Sequence, residues 1–202
     1  MATDTVLVLD LDGVVIGGPQ QPWHATLQQD LGIDYDELKR EFFDRDWAEV
    51  VRGRLDLLVA LNDYLGARGQ ADKLEALVNY WFEHDAVIHH ELLADVAAWR
   101  QRTGGRVFAA SNQEHHRIRW LSENAGLGEH FDEILYSAAL GVCKPDRVFF
   151  TNAQARMKVQ NGRAILFIDD TAANVDGARV AGWRSVLYRG RESVARVLAE
   201  VR

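Results

Sequence analysis

Two aspartates, Asp10 and Asp12, follow the apolar run Val6–Leu9 and precede Gly13. Four consecutive apolar residues without alternation are typical of a strand that is buried on both faces of a parallel sheet. Ligands bind at the carboxyl edge of such sheets, and two carboxylates this close repel each other unless a cation or a proton intervenes. Because Asp-Gly is also an ordinary turn dipeptide, the pair alone indicates either a cation or proton-transfer site, or a plain turn.

Further polar residues follow later apolar runs. The runs 106–110 and 164–168 each lead into two polar residues, and a loop with a lysine follows a third run, 133–136. The candidate site residues are Asp10, Asp12, Ser111, Asn112, Lys144, Asp169 and Asp170. Carboxylate oxygens suit Mg²⁺. Because a lysine and a hydroxyl can hold phosphoryl oxygens and a carboxylate can act as nucleophile, the set indicates phosphoryl transfer at a metal site.

Strands and helices alternate on both sides of a long helical stretch. This alternation predicts an α/β fold with a doubly wound parallel sheet, whose carboxyl edge would bring the candidate residues together. The expected strands are 6–9, 106–110, 133–136, 164–168 and 184–188, and the expected helices are 26–31, 35–44, 56–65, 71–85, 91–102, 115–125, 147–157, 172–181 and 192–202.

The helical stretch, from about residue 23 to 102, follows a Gly- and Pro-rich loop at 13–22 and has almost no strand signal. A crossover between parallel strands needs only one helix. We therefore interpret most of the stretch as an inserted helical cap. The predicted domains are an α/β core of residues 1–15 and 91–202 and a cap of residues 16–90.

The 202-residue chain is 48% apolar and 26% charged, which is typical of a globular protein. Its net charge of −7 and its scattered basic residues argue against nucleic-acid binding. The single cysteine, Cys143, excludes an internal disulfide and fits a reducing compartment. The sequence has no signal-peptide layout and no apolar run of about 20 residues. We expect a cytoplasmic monomer or homodimer without membrane contact.

Taken together, the motifs resemble those of the haloacid dehalogenase-like (HAD) hydrolase superfamily, in the subgroup with a small helical cap (C1, subfamily IA-like). The family's first motif matches residues 10–15, and its second, a strand ending in Ser or Thr, matches residues 107–111. The lysine motif matches Lys144-Pro145, and the acidic motif matches residues 169–174, which end at Asn174. The cap matches only by its position and helicity.

The resemblance implies a phosphatase mechanism with Mg²⁺ as cofactor and a small phosphorylated metabolite as substrate. Asp10 would be the nucleophile that forms an aspartyl-phosphate. Asp12 would protonate the leaving oxygen and later deprotonate the hydrolytic water. The nucleophile and the acid therefore need opposite protonation tendencies. Asp10, the backbone carbonyl of Asp12, and Asp170 would hold the metal, with Asp169 binding it directly or through water.

The resemblance also assigns the remaining polar residues. Ser111 and the amide of Asn112 would bind the transferring phosphoryl oxygens, and Lys144 would neutralise charge on the nucleophile and the phosphate. In the cap, Arg52 and Arg54 flank a glycine that interrupts the helical pattern. A solvated cap surface is the default interpretation of such residues, and contact with the leaving group of the substrate is the hypothesis for these two arginines.

Three other functions stay open. A haloacid dehalogenase is disfavoured because a halide leaving group needs no proton, whereas Asp12 supplies one. A sugar-phosphate mutase is disfavoured because no cap motif specifies it. A non-catalytic Mg²⁺- and phosphate-binding regulatory protein would not need the complete set of nucleophile, acid, hydroxyl and lysine.

Overall fold

The computed structural model describes residues 4–18 and 21–200. Within these residues the strands are β1 (Val6–Leu9), β2 (Ile16–Gly17), β3 (Val87–Ile88), β4 (Arg106–Ser111), β5 (Glu133–Tyr136), β6 (Ile165–Asp169) and β7 (Arg184–Leu187). A parallel sheet has the order β5-β4-β1-β6-β7, and β2 pairs with β3 in an antiparallel ribbon. The first strand of the chain is thus the central strand of the sheet.

The α-helices of the described residues are α1 (Leu27–Leu31), α2 (Tyr35–Leu38), α3 (Trp47–Val50), α4 (Leu57–Gly66), α5 (Leu74–His84), α6 (His90–Thr103), α7 (His115–Glu123), α8 (Ser137–Leu140), α9 (Arg147–Met157), α10 (Ala172–Val180) and α11 (Arg191–Glu200). α2 continues into a wider helical turn at Lys39–Phe43. In the described part of the chain, every helix is too short or too polar to cross a membrane.

The side chains of β1 alternate between two hydrophobic clusters, as the pleat of a strand requires. Leu7 and Leu9 pack with residues of α6, α7 and α11, whereas Val6 and Val8 pack with residues of α9 and α10. Helices therefore cover both faces of the sheet. This arrangement confirms the predicted doubly wound α/β fold.

The helices α1 to α5, residues 27–84, form a helical block with a hydrophobic cluster of its own. Its buried members include Leu27, Phe42, Leu61, Trp81 and Phe82. The ribbon of β2 and β3 lies where the chain leaves the sheet and returns to it, and Ile16 pairs there with Ile88. The block therefore begins and ends beside the carboxyl end of β1.

The ribbon corrects one prediction from the sequence. The loop expected at 13–22 contains β2, and the stretch that seemed to lack strands contains β3. Each strand has two residues, too few for alternation to be visible in the sequence. The single-turn helices α3 and α8 were also missed, because four residues are too few to show a helical period in the sequence. Residues 19 and 20 of the predicted loop and 201 and 202 of the last predicted helix lie outside the described residues.

Candidate active site

The carboxyl ends of β1, β4 and β6 lie side by side, because Leu9 pairs with both Ala109 and Ile168. This edge brings together the core residues predicted from the sequence: Asp10, Asp12, Ser111, Asn112, Lys144, Asp169 and Asp170. A cavity of about 340 Å³, called the lower cavity below, is lined by all of these except Asp169, which is fully buried and contacts Lys144.

The ammonium group of Lys144 is the centre of the buried polar contacts. It lies 2.8 Å from Oδ1 of Asp10, and it donates hydrogen bonds to Oδ2 of Asp169 at 2.7 Å and to the carbonyl of Ala110 at 2.8 Å. Its side chain is 1% exposed. Because an ammonium has three donors, these contacts fix its position and pair its charge.

The nucleophile predicted from the sequence, Asp10, is also buried. Burial raises the pKa of Asp10 to about 8; the positive charge of Lys144 opposes this rise, and the neighbouring carboxylate of Asp169 adds to it. Oδ1 of Asp10 accepts a hydrogen bond from the backbone N–H of Leu11 at 2.7 Å. The carboxyl group is thus held at the end of β1 next to a second acid.

Asp169 and Asp170 have different surroundings. The buried carboxylate of Asp169 accepts hydrogen bonds from the N–H of Thr171 at 2.8 Å, from the amide of Asn174 at 3.0 and 3.1 Å, and from Lys144. Asp170 is exposed and accepts a hydrogen bond from the Thr171 hydroxyl at 3.2 Å. Asp169 is therefore occupied by protein donors, whereas Asp170 faces the lower cavity.

The acidic cluster fits a hard divalent cation. Asp10, Asp169 and Asp170 each offer an oxygen, and these oxygens lie within 4.8 Å of one another. Gly13 keeps the space beside them open, since a Cβ built there would lie 2.1 Å from Oδ2 of Asp170, and its φ of +81° strains other residues. Oxygen donors at this spacing, in a cradle that a side chain would fill, suit Mg²⁺.

Asp12 points towards the segment that follows β4. Its Oδ2 accepts a hydrogen bond from the side-chain amide of Gln113 at 2.6 Å and a longer one from the Ser111 hydroxyl at 3.4 Å. Gln113 is buried, and sequence reasoning missed it. The available signal was its position directly after the predicted pair Ser111-Asn112.

The side chain of Asn112 holds the lysine loop in place. Its Nδ2 donates to the backbone carbonyl of Lys144 at 2.9 Å, and its Oδ1 accepts from the N–H of Lys144 at 2.8 Å. Both amide ends are therefore used by the protein. Asn112 still lines the lower cavity.

A second cavity, of about 330 Å³, adjoins the first between the sheet edge and the helical block; we call it the upper cavity. Both cavities are lined by Asp12, Gly13 and Asn112. The upper cavity is further lined by Trp47, Trp81, Asp85, Gln113 and Arg117. Asp12 therefore stands between a cavity lined by Ser111 and Lys144 and a cavity with aromatic walls.

Arg117, which the sequence analysis did not identify, is 2% exposed and comes from α7. Its guanidinium donates to the carbonyls of Phe82 and Asp85 at 3.1 Å each, and it lies 3.5 Å from Oδ2 of Asp85. Burial raises the pKa of Asp85, although the charge of Arg117 opposes the rise. The arginine thus joins α7 to the end of α5.

The structure does not bring the two predicted cap arginines to either cavity. Arg52 donates to the carbonyl of Ala48 at 2.6 Å, and the exposed Arg54 lies 3.4 Å from Glu49. A Cβ on Gly53, between them, would lie 2.4 Å from the carbonyl of Ala138. The glycine thus serves the packing of this turn against α8.

A family model described as haloacid dehalogenase-like hydrolase matches residues 5–182. Two curated relatives align with nearly the whole chain. A drimenol cyclase from Aspergillus calidoustus is 26% identical over 96% of this chain, which spans only 36% of the cyclase. A ribulose-1,5-bisphosphate 5-phosphatase from Halopiger xanaduensis is 27% identical over 91% of this chain and 84% of the phosphatase.

Solved structures share the fold at low sequence identity. A variant of a HAD family enzyme from Bacteroides thetaiotaomicron, in complex with magnesium and inorganic phosphate, has a TM-score of 0.73 and 18% identity, and the match covers 92% of this chain and 94% of that enzyme. An L-2-haloacid dehalogenase from Xanthobacter autotrophicus has a TM-score of 0.62 and 20% identity, with coverages of 100% and 84%.

Proposed function

We propose that this chain, which belongs to the haloacid dehalogenase-like hydrolase family, hydrolyses phosphate monoesters of small metabolites with Mg²⁺ and a phosphorylated Asp10. The observation that carries the proposal is the place of Asp12, which lines both cavities. A carboxyl group there can reach the bridging oxygen between a phosphoryl group in one cavity and its leaving group in the other.

Asp10, Asp170 and the backbone carbonyl of Asp12 would hold Mg²⁺, and Asp169 would contact it through water because its oxygens already accept protein hydrogen bonds. When bound, the ion offsets negative charge on the phosphoryl oxygens. The magnesium complex of the Bacteroides enzyme supports this choice of metal. Lys144 adds a fixed positive charge beside Asp10, and Ser111 donates a hydrogen bond to a phosphoryl oxygen.

The reaction has two steps in this proposal. An oxygen of the ionised Asp10 carboxylate attacks phosphorus, the bond to the leaving oxygen breaks, and Asp12 in its acid form gives that oxygen a proton. Asp12, now a base, takes a proton from water as the water oxygen attacks phosphorus and the bond to Asp10 breaks. Phosphate leaves, and both carboxyl groups return to their starting forms.

The proposal includes the division into a core of residues 1–15 and 91–202 and a cap of residues 16–90. The separate hydrophobic cluster of the helical block and the ribbon at its ends support it. Closure of the cap over the upper cavity would exclude water during the first step.

The dehalogenase structures among the fold relatives make that reaction the main competitor. It is disfavoured because a halide leaves without a proton, whereas Asp12 is present and is oriented by Gln113. A mutase or a non-catalytic binding protein has no comparable observation in its favour.

A panel of phosphate monoesters, assayed for phosphate release with and without Mg²⁺, tests the proposal. It should include a nitrophenyl phosphate, and it should be accompanied by acetyl phosphate as an acyl phosphate and by a 2-haloacid as the control for halide release. We expect phosphate release that requires the metal and no halide release. Halide release alone, or tight binding of phosphate compounds without turnover, would contradict the proposal.

A further inference from the structure

We infer that the substrate carries a single phosphoryl group on an uncharged, one-ring polyhydroxy leaving group, such as a monosaccharide, which occupies the upper cavity. This inference rests on the proposed function and specifies its substrate class. The walls, the polar groups and the charge of the cavity each contribute a separate argument.

Two tryptophans of the helical block form the aromatic wall of the upper cavity. The rings of Trp47 and Trp81 lie 5.7 Å apart at an angle of 57°, and Trp81 stacks on Trp23 at 5.4 Å. Trp81 is 7% exposed, so its orientation is fixed by packing. Flat apolar surfaces of this kind can pack against the C–H face of a sugar ring. The cavity volume of about 330 Å³ is at the low end for ligand pockets, ~300–1,000 Å³, and suits a small leaving group of about one ring.

Polar groups at the other side of the cavity suit hydroxyl groups. The carboxylate of Asp85 is about one-third exposed and can accept hydrogen bonds from them. The amide of Gln113 lines the same cavity but donates to Asp12. A few fixed acceptors beside an aromatic wall are the usual means of orienting a small neutral ligand.

The charge of the upper cavity excludes a second phosphate. Among its described lining residues, two carry carboxylates, Asp12 and Asp85, and one carries a guanidinium, Arg117. That guanidinium already contacts two carbonyls and the carboxylate of Asp85. A second phosphoryl group, with a charge of roughly −1.5 to −2, would meet the carboxylate of Asp85 and no available cation. The cavity therefore lacks the available cation that the second phosphate of a bisphosphate needs, although a bisphosphate phosphatase is among the relatives.

The wild-type protein with Mg²⁺ provides the first test, with a hexose monophosphate, the corresponding bisphosphate, a nucleoside monophosphate and acetyl phosphate as substrates. We expect kcat/KM for the hexose monophosphate to exceed that for the bisphosphate by at least about 10-fold, because of the like charges. It should also exceed that for the nucleoside monophosphate, whose base and ribose together are larger than one ring.

Two variants test the cavity itself. Asp85→Asn removes one carboxylate and should narrow the preference for the monophosphate over the bisphosphate by about 10-fold. Asp63→Asn removes the same charge from an exposed site of α4 and should leave the preference unchanged. Trp47→Ala should lower kcat/KM for the hexose monophosphate by about 10-fold, and this loss should exceed the loss with acetyl phosphate, which has no ring.

The outcomes separate this inference from the proposed function. Efficient hydrolysis of the bisphosphate or of the nucleotide, equal to or above that of the hexose monophosphate, overturns the inference while the phosphatase assignment stands. An equal effect of Trp47→Ala on acetyl phosphate and the hexose ester also overturns it. If none of these substrates is hydrolysed, acetyl phosphate included, the proposed function and this inference are overturned together.

Discussion

The side-chain amide of Gln113 donates a hydrogen bond to Oδ2 of Asp12 at 2.6 Å, and this contact joins the segment after β4 to the turn after β1. Gln113 is buried and Asp12 is half-buried, so the contact is partly shielded from water. The hydrogen bond holds the side chain of Asp12 in its orientation between the two cavities. Gln113 is therefore a positioning residue for the proposed acid.

Replacing this amide tests that role. Gln113→Ala should lower kcat for alkyl phosphates about 10- to 100-fold, since a hydrogen bond to a charged group contributes about 1.5–3 kcal/mol. The loss should be smaller for a nitrophenyl phosphate, whose leaving group needs no proton. Steady-state kinetics with both esters measure the difference. The matched variant Gln28→Ala, on the exposed side of α1, should behave as wild type. Equal losses for both esters would mean that Gln113 serves the structure alone.

The metal site gives a second prediction. Asp170→Asn should weaken Mg²⁺ binding at least about 10-fold, because the ion needs anionic oxygen to offset its desolvation. Asp170 is exposed, so the variant should fold normally. Calorimetric titration measures the affinity, and Asp176→Asn, at an exposed site on α10, is the control. Unchanged affinity in a folded Asp170→Asn protein would exclude Asp170 as a ligand.

Stability should depend on pH through Glu114, whose carboxylate caps α7 by accepting from the N–H groups of His116 and Arg117. Burial raises the pKa of Glu114 above its ordinary 4.5, although these hydrogen bonds oppose the rise. The folded state thus binds a proton more tightly than the unfolded state, so the free energy of unfolding falls as pH rises above 4.5 through the raised pKa.

Glu114→Gln lacks this titration, and its stability relative to wild type should therefore increase with rising pH. Urea unfolding at about pH 4 and about pH 7 measures the change. Glu123→Gln, exposed at the end of the same helix, is the control. A stability difference between Glu114→Gln and wild type that stays constant across this range would contradict the prediction.

The sheet edge that carries the candidate site was predictable because its sequence signals are local. The apolar runs of β1, β4 and β6 end directly at Asp10, Ser111 and Asp169, and parallel pairing brings strand ends together. The order of polar residues along the chain therefore predicted which side chains meet. The ribbon of β2 and β3 could not be predicted, since two residues carry no period.

Contacts between the helical block and the sheet edge were harder to predict from the sequence. Arg117 is buried because the end of α5 presents the carbonyls of Phe82 and Asp85 to it, and these residues are far away in the sequence. The glycine between Arg52 and Arg54 indicated a break in a helix, but packing against Ala138 determines where that turn lies. Such contacts depend on how two layers dock, which periodicity does not encode.

Asp12→Asn should reduce turnover of alkyl phosphates by about 10²- to 10⁴-fold, the usual effect of losing a positioned proton donor. The fold and the metal site should remain, because the side chain of Asp12 is not among the proposed ligands. With a nitrophenyl phosphate the first step needs no proton and should be less affected. The second step lacks its base, so the phosphorylated protein should accumulate. Full activity of this variant would exclude Asp12 as the acid.

Rapid acid quenching of Asp12→Asn after mixing with Mg²⁺ and nitrophenyl phosphate, followed by mass mapping of its peptides, tests the central claim most directly. The account predicts one phosphoryl group on the peptide that contains Asp10, formed with a burst of nitrophenol and absent without Mg²⁺ or in an Asp10→Asn, Asp12→Asn double variant. A phosphoryl group on another residue, or nitrophenol release that persists in the double variant, would contradict it.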